Sequence, residues 1–433
     1  MLRSIAVVLV SMLAWCTSGW AQDSEHVIFS FNRTNGNLPD AGLVADSQGN
    51  LYGTTFNGGA YGYGNVYKLT PTAAGNWTGA SIYDFTGGAD GALPESTLVL
   101  DRAGNIYGTA QAGGLGQCVT DPQRGWLGCG VVFKLAPSGN QWQETTLYSF
   151  QPGVDKGVLP VGGVILDAAG NLYGTTWAPG VEGDFIALKA GKPSLANTFW
   201  GCDLPGCGGT VYKLTPTQNG WQETDLYDFT GATDGSSPQS SLLLDSAGNL
   251  YGTAPYGGVN NCVYGCGLVF KLSPGNGSWT ETVLHSFTNQ PDGGAPTGSV
   301  VMDAAGNLYS TTSKGGSQRM GTVFQITPGG QESVLYSFTG GNDGAAPAAG
   351  VVLDRQGNLY GTAPSGGQYF LGVAWRLTPN QGHWAQTVVH TFRPGTDGQS
   401  PYAQMIFLHG FLVGTTQSGG FHDIPGAVYQ LLP

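Results

Sequence analysis

The residues best placed to do chemistry in this sequence are carboxylates. An acid stands before glycine in six segments of a recurring pattern, at Asp90, Asp155 (followed by Lys156 and then the glycine), Asp234, Asp292, Asp343 and Asp397, and Asn35-Gly36 fills the equivalent first place. Gathered at one channel mouth, such acids would supply the several oxygens that Ca2+ requires, or would accept the hydroxyls of a sugar. The competing reading is local: each Asp closes its own turn beside a glycine with positive φ and needs no ligand. Recurrence favours the local reading, because catalytic groups rarely need a copy in every repeat. Asp90, Asp234, Asp292, Asp343 and Asp397 are thus an alternative metal set, Ca2+ is the one ion to consider, and no other cofactor is expected.

Acid–base signatures are sparse. The chain carries no Gly-x-Ser-x-Gly, no His-Glu-x-x-His and no phosphate-cradling glycine loop. Its six histidines are scattered, and His26, His285 and His390 fall in strand-like runs where a structural role is expected. Only His422-Asp423 lies in a loop of the expected binding face. If the chain were a hydrolase or lyase, His422 would be the base, with Asp423 or a neighbouring acid beside it.

Aromatic groups supply a third candidate. Two long stretches interrupt the pattern, Gly114 to Gly130 and Ala178 to Gly209, and beside or inside the second lie Trp177, Asp184, Phe185, Phe199 and Trp200. These residues would make a platform for a glycan or a peptide, or would pack a lid onto the fold. Six cysteines fall in the same region as sequence-local pairs, Cys118 with Cys129, Cys202 with Cys207 and Cys262 with Cys266. In an exported chain an even number reads as disulfides. The Cys-x3-Cys spacing at 262 and 266 also resembles half a zinc knuckle, without a matching cluster nearby.

The elements that must position these groups come from a repeat. Gly-Asn-Leu/Ile-Tyr-Gly-Thr occurs at 49, 104, 170, 248 and 357, with one change at 306 and a worn copy at 410, so successive starts lie 51 to 78 residues apart. Each unit holds four strand-like runs, as in Ser241 to Asp245, Asn249 to Thr253, Gly267 to Leu272 and Trp279 to Phe287. The first and third are almost wholly apolar, as strands covered on both faces should be, and the fourth alternates as an outer edge would. Asp-x-x-Gly-Asn between the first two predicts a tight hairpin. The recurring Tyr52, Tyr107, Tyr173, Tyr251, Tyr309 and Tyr360, and the Trp residues heading the fourth runs, are read as inter-blade packing. The seventh unit lacks its fourth run, and Glu25 to Phe31 matches the ending of every other one. An all-β, seven-bladed β-propeller of four-stranded blades follows, closed by the N-terminal strand completing the last blade.

The motifs resemble the GloVer tandem repeats of exported "choice-of-anchor" bacterial proteins and, more distantly, the NHL and streptogramin-lyase class of propeller repeats. The resemblance implies export, a repetitive β fold and no assigned activity. Residues 1–21 read as a secretory signal peptide, an apolar core behind Arg3 ending at Ala21, and residues 22–433 as a single propeller domain. Removing the peptide takes the formal charge from -12 to -13, which disfavours nucleic acid, and no stretch is long enough to span a membrane. The expected protein is a secreted, extracellular or periplasmic monomer that binds a glycan or protein ligand through the inserted loops of blades two to four. The alternative is an exported carbohydrate-active or lactone-type hydrolase or lyase with an acidic site at the channel mouth.

Overall fold

The computed structural model describes residues 25–121, 125–180, 186–187, 208–259, 262–395, 397–419 and 425–433. Among them the regular elements are all strands, and seven four-stranded antiparallel sheets follow one another around a seven-bladed β-propeller. In the fourth blade Leu243–Leu244, Leu250–Ala254, Leu268–Pro274 and Trp279–Ser286 lie side by side in chain order. No helix of the described residues is long and apolar enough to cross a membrane.

The repeated motif forms the second strand, buried along its length in the first six blades, and the first half of the fourth strand alternates between half-buried and exposed positions in the second, third, fourth and sixth blades. The first strand departs from the expectation. Of the apolar run Ser241 to Asp245, only Leu243 and Leu244 pair, and both are half-buried. The reason lies just upstream, where a backbone carbonyl goes to a neighbouring blade instead of a ladder: Ser240 C=O accepts the Thr175 hydroxyl at 3.4 Å.

That contact belongs to a closed series. A second-strand threonine of each blade donates to a carbonyl ahead of the next blade's first strand: Thr54 to Ser96, Thr109 to Gly162, Thr175 to Ser240, Thr253 to Gly298, Thr311 to Ala349, Thr362 to Ala403, and Thr415 back to Ala41. All are buried. Thr415→Val, which removes the bond across the seam, is expected to cost about 1–2 kcal/mol, read as a lower midpoint in urea.

The turn motif is also accounted for locally. Asp245 Oδ1 accepts the backbone N–H groups of Ala247 and Asn249 at 2.9 and 2.8 Å, and its Oδ2 accepts the Asn249 amide at 2.7 Å and the Tyr251 hydroxyl at 3.0 Å. Gly248 takes φ +84, which only glycine adopts without strain. The repeated tyrosine therefore has two duties, since its ring also meets the next blade's tryptophan, with centroids 6.0 Å apart for Tyr52 and Trp142. In the seventh blade His409 and Gly410 replace this turn with a two-residue hairpin loop, both at positive φ, and Leu408 pairs with Phe411.

The ring closes as expected. Glu25–Ser30 pairs with Ala427–Leu431, from Glu25 opposite Leu431 to Ser30 opposite Ala427, and so becomes the fourth strand beside Ile406–Leu408 and Phe411–Thr416. Phe31 then packs edge-on against Tyr67 of the first blade at 4.9 Å, as Phe392 does against Tyr429 at 5.1 Å on the other side of the seam.

Candidate functional site

The acids before glycine are placed in their own turns. Asp90 accepts the Tyr83 hydroxyl at 2.9 Å and the Thr86 N–H at 2.8 Å, with the Thr86 hydroxyl on its other oxygen. Asp234 and Asp343 repeat that arrangement, Asp155 takes the Tyr148 hydroxyl and the Gln151 N–H, and Asp292 meets the His285 ring at 3.0 Å. Asp397 meets His390 at 3.0 Å and the Arg393 guanidinium at 3.1 Å. Each carboxylate is thus filled by donors from its own blade, and the five proposed as a metal set are not brought together. Among the described residues the one close group of metal-ligating types is Glu25, His390 and Asp397, within 4.8 Å of one another at the latch. Arg393 already supplies the positive charge there. Buried against these donors, Asp397 is held down at about 2 by its bonds to His390 and Arg393, which outweigh the burial.

Of the aromatic candidates, Trp177 is 7% exposed, packs within the core cluster of the second and third blades with Leu159 and Tyr212, and also lines the axial cavity described below. Trp177→Ala is expected to lower stability by about 3–5 kcal/mol, visible as a lower melting temperature, before any effect on binding. Asp184, Phe185, Phe199, Trp200, Cys202, Cys207, His422 and Asp423 lie outside the described residues. Two disulfides form as expected, Cys118 to Cys129 and Cys262 to Cys266. They are the chemistry of an oxidising compartment. Backbone of the third blade's insertion, Ile186–Ala187, pairs in parallel with Val119–Thr120 of the second, so the two interruptions meet on one face.

That face opens onto the cavity of interest, of about 740 Å³, walled by all seven blades around the axis. The wall is made by one device repeated seven times. A residue with positive φ, such as Leu38, Leu93 or Ser237, precedes a proline, and its N–H is held by a carbonyl of the preceding blade, Leu93 by Tyr63 at 2.8 Å. Such a conformation is costly for a residue with a Cβ and persists only where its surroundings impose it. The residue after the proline then faces the axis, and here the copies differ: Asp40, Glu95, Val161, Gln239, Thr297, Ala348 and Tyr402 all line the cavity.

Asp40 and Glu95 therefore sit on adjacent blades. Both are half-buried and line the cavity. Asp40 Oδ2 accepts the Gln417 amide at 3.3 Å, while its Oδ1 is buried without a partner. Burial pushes Asp40 up to about 7, against the smaller opposing effect of that bond. Burial, and then the Asp40 charge, push Glu95 up to about 8. Across the axis the fifth blade contributes Lys314. Tyr256 and Tyr264, 6.4 Å apart and edge to face, come from the fourth blade, Tyr264 within the loop closed by Cys262 and Cys266. Sequence reasoning missed Asp40 and Glu95. The available signal was a position of the repeat, fixed by a preceding proline, at which residue type changes from blade to blade.

Fold and site together define a closed seven-bladed propeller with one polar, partly aromatic axial cavity. The chain belongs to the Gloeobacter/Verrucomicrobia repeat family, whose model matches residues 18–186 and 260–433. No curated protein sequence matches it. Among solved structures, a candidate 6-phosphogluconolactonase from Bacteroides uniformis is similar at 12% identity and a TM-score of 0.45, covering 81% of this chain and 84% of that one. A protein of unknown function from Dyadobacter fermentans gives 11%, 0.45, 94% and 98%, and a candidate glucose dehydrogenase from Thermus thermophilus gives 15%, 0.41, 94% and 99%. At these identities and scores the likenesses say nothing of activity.

Proposed function

We propose that the protein is an exported recognition module that binds a glycan in the axial cavity. The observation that carries this reading is the composition of the cavity wall. Polar side chains of Thr97, Gln239, Ser241 and Ser299 stand among the rings of Tyr256, Tyr264 and Tyr402 around about 740 Å³, a volume in the usual range for small-ligand sites. Sugars present hydroxyls at their edges and C–H faces above and below, and such a wall answers both. The disulfide in the Tyr264 loop reduces the freedom that binding would otherwise have to remove. The inserted loops expected to bind thus contribute, but as the rim of a site whose floor is the ring itself.

The test is a glycan-array screen of the wild type against Tyr264→Ala and Tyr402→Ala. Both side chains face the cavity, so their loss is expected to weaken the strongest hits by about tenfold or more, with little change in melting temperature. Unchanged binding in both variants would remove the axial cavity from the reading. A second reading, a carbohydrate-active or lactone-type hydrolase or lyase, is favoured by the two raised carboxyl groups, since a carboxylic acid kept protonated near neutrality can act as a general acid. Turnover of an array hit that disappears in Glu95→Gln while binding persists would favour it.

A further inference from the structure

We propose that the cavity is selective for an amine-bearing glycan, in which Asp40 and Glu95 receive a protonated amino group of the sugar. This deepens the glycan reading and rests on it.

The first support is a pair of carboxyl groups left without ion-pair partners at one sector of the wall. Asp40 and Glu95 stand on neighbouring blades at equivalent positions, close enough for the charge of one to act on the other. Among the described residues neither forms an ion pair, and Asp40 Oδ1 is buried and without a donor. The six turn-closing acids of the repeat show what this chain does with carboxylates it needs for structure: it surrounds them with N–H and O–H donors. These two it leaves open to the cavity. An enclosed carboxylate without donors costs free energy in the empty protein, and a ligand that supplies the donors recovers that cost.

The second support decides which cation fits. Ca2+ takes six to eight oxygens. Here no third carboxylate, histidine or cysteine atom among the described residues joins the pair into a metal-binding group. An ammonium needs only a few acceptors for its N–H groups, and two adjacent carboxyl groups suit it in number and charge.

The third support is the arrangement around the pair. In a ring of seven, the fifth blade lies opposite the gap between the first and second, so Lys314 is as far from Asp40 and Glu95 as the wall allows. Tyr402, on the blade before Asp40, offers a ring edge and a hydroxyl next to the acidic sector. A sugar could thus lie with its amine toward the first two blades and its remaining hydroxyls toward the Ser and Gln side chains of the fourth.

The experiment is calorimetric titration of the full chain with three trimers of the same β-1,4 linkage: glucosamine, N-acetylglucosamine and glucose. The glucosamine trimer is expected to bind at least tenfold tighter than the other two. That preference is expected to vanish in the Asp40→Asn, Glu95→Gln double variant. Because the two carboxyl groups are buried without ion-pair partners in the empty protein, the double variant is expected to melt no lower than the wild type, so a loss of preference would not reflect unfolding. Equal or tighter binding of the acetylated or neutral trimer would overturn the amine selectivity and leave the glycan reading standing. A preference that survives in the double variant would also overturn it. Absence of binding by all three trimers overturns the proposal, and the array screen then decides the glycan reading on its own.

Discussion

Replacing Phe31 by alanine is expected to cost about 3–5 kcal/mol of stability, and deleting residues 25–31 is expected to abolish a single cooperative unfolding transition. The ring is fully buried at 0% exposure and meets Tyr67 edge-on, and its backbone N–H donates to Gly426 C=O at 3.0 Å. It is therefore attached to both the last blade and the first. The same pairing of a strand-end Phe with a third-strand ring occurs at the other interfaces, for example Phe85 with Phe133 at 5.1 Å and Phe338 with Trp375 at 5.6 Å. What distinguishes Phe31 is position. Loss of Phe85 would weaken an interface whose blades remain covalently consecutive, whereas loss of the latch exposes the edge of Ala427–Leu431 and invites pairing with another molecule. Urea denaturation and size-exclusion chromatography would check both parts. A latch deletion that melts like the wild type and stays monomeric would refute the closure argument.

Stability is also expected to fall as pH rises from about 5 to 8, the reverse of what acid-rich proteins usually show. The groups responsible are carboxyls whose charged forms are poorly accommodated. Burial raises Glu144, Glu281 and Glu332 to about 7 each, the first two helped by Asp90 and Asp234 of the preceding turn. Glu223 is raised by burial and by Asp225, and Oε1 of Glu223, Glu281 and Glu332 is buried without a partner. Asp40 and Glu95 act in the same direction. A carboxyl raised in the fold is protonated there while the unfolded chain has already released its proton. Its contribution is therefore complete below the ordinary carboxylate range and is lost as pH climbs through the raised values. One unit of displacement is worth about 1.4 kcal/mol, so several such groups, even screened, should shift the melting temperature by several degrees. The turn-closing Asp46, Asp101, Asp167, Asp245, Asp303 and Asp354 are lowered despite burial, by the donors that surround them, and Asp397 is held at about 2. Their contribution disappears below about pH 4, which places the optimum in mildly acidic solution. Calorimetric melts from pH 3 to 9 would show it. A melting temperature that is flat or rising between pH 5 and 8 would contradict the assignment, and Glu281→Gln should flatten the slope.

The architecture was legible because it is repetitive and local. Asp245-x-x-Gly248-Asn249 specifies its hairpin within five residues, and Glu25 to Phe31 could be matched to other fourth strands by its own letters. The first strand was overestimated because an apolar run does not reveal where ladder pairing stops, and that is decided by hydroxyls such as Thr175 on another blade. The site was harder to see for a related reason. Asp40 and Glu95 need no special neighbours in sequence, and they become a pair only when Pro39 and Pro94 turn two distant segments toward one axis. The conspicuous acids before glycine are occupied by their own turns, and from the interrupted region Trp177, beside the longest insertion, and Tyr264, in a shorter loop, reach the cavity.

The threonine bonds that run from blade to blade have a consequence for how such a protein can change. They set the bore by the number of blades and leave most side chains after the prolines outside that bonding, Thr297, which donates to Ala348 C=O, and Asp40, which accepts from Gln417, being the exceptions. The mouth therefore behaves like a dial whose slots are largely independent on a fixed wheel. Substituting one slot alters what the cavity recognises without asking the wheel to be rebuilt, so new specificities are reachable one residue at a time.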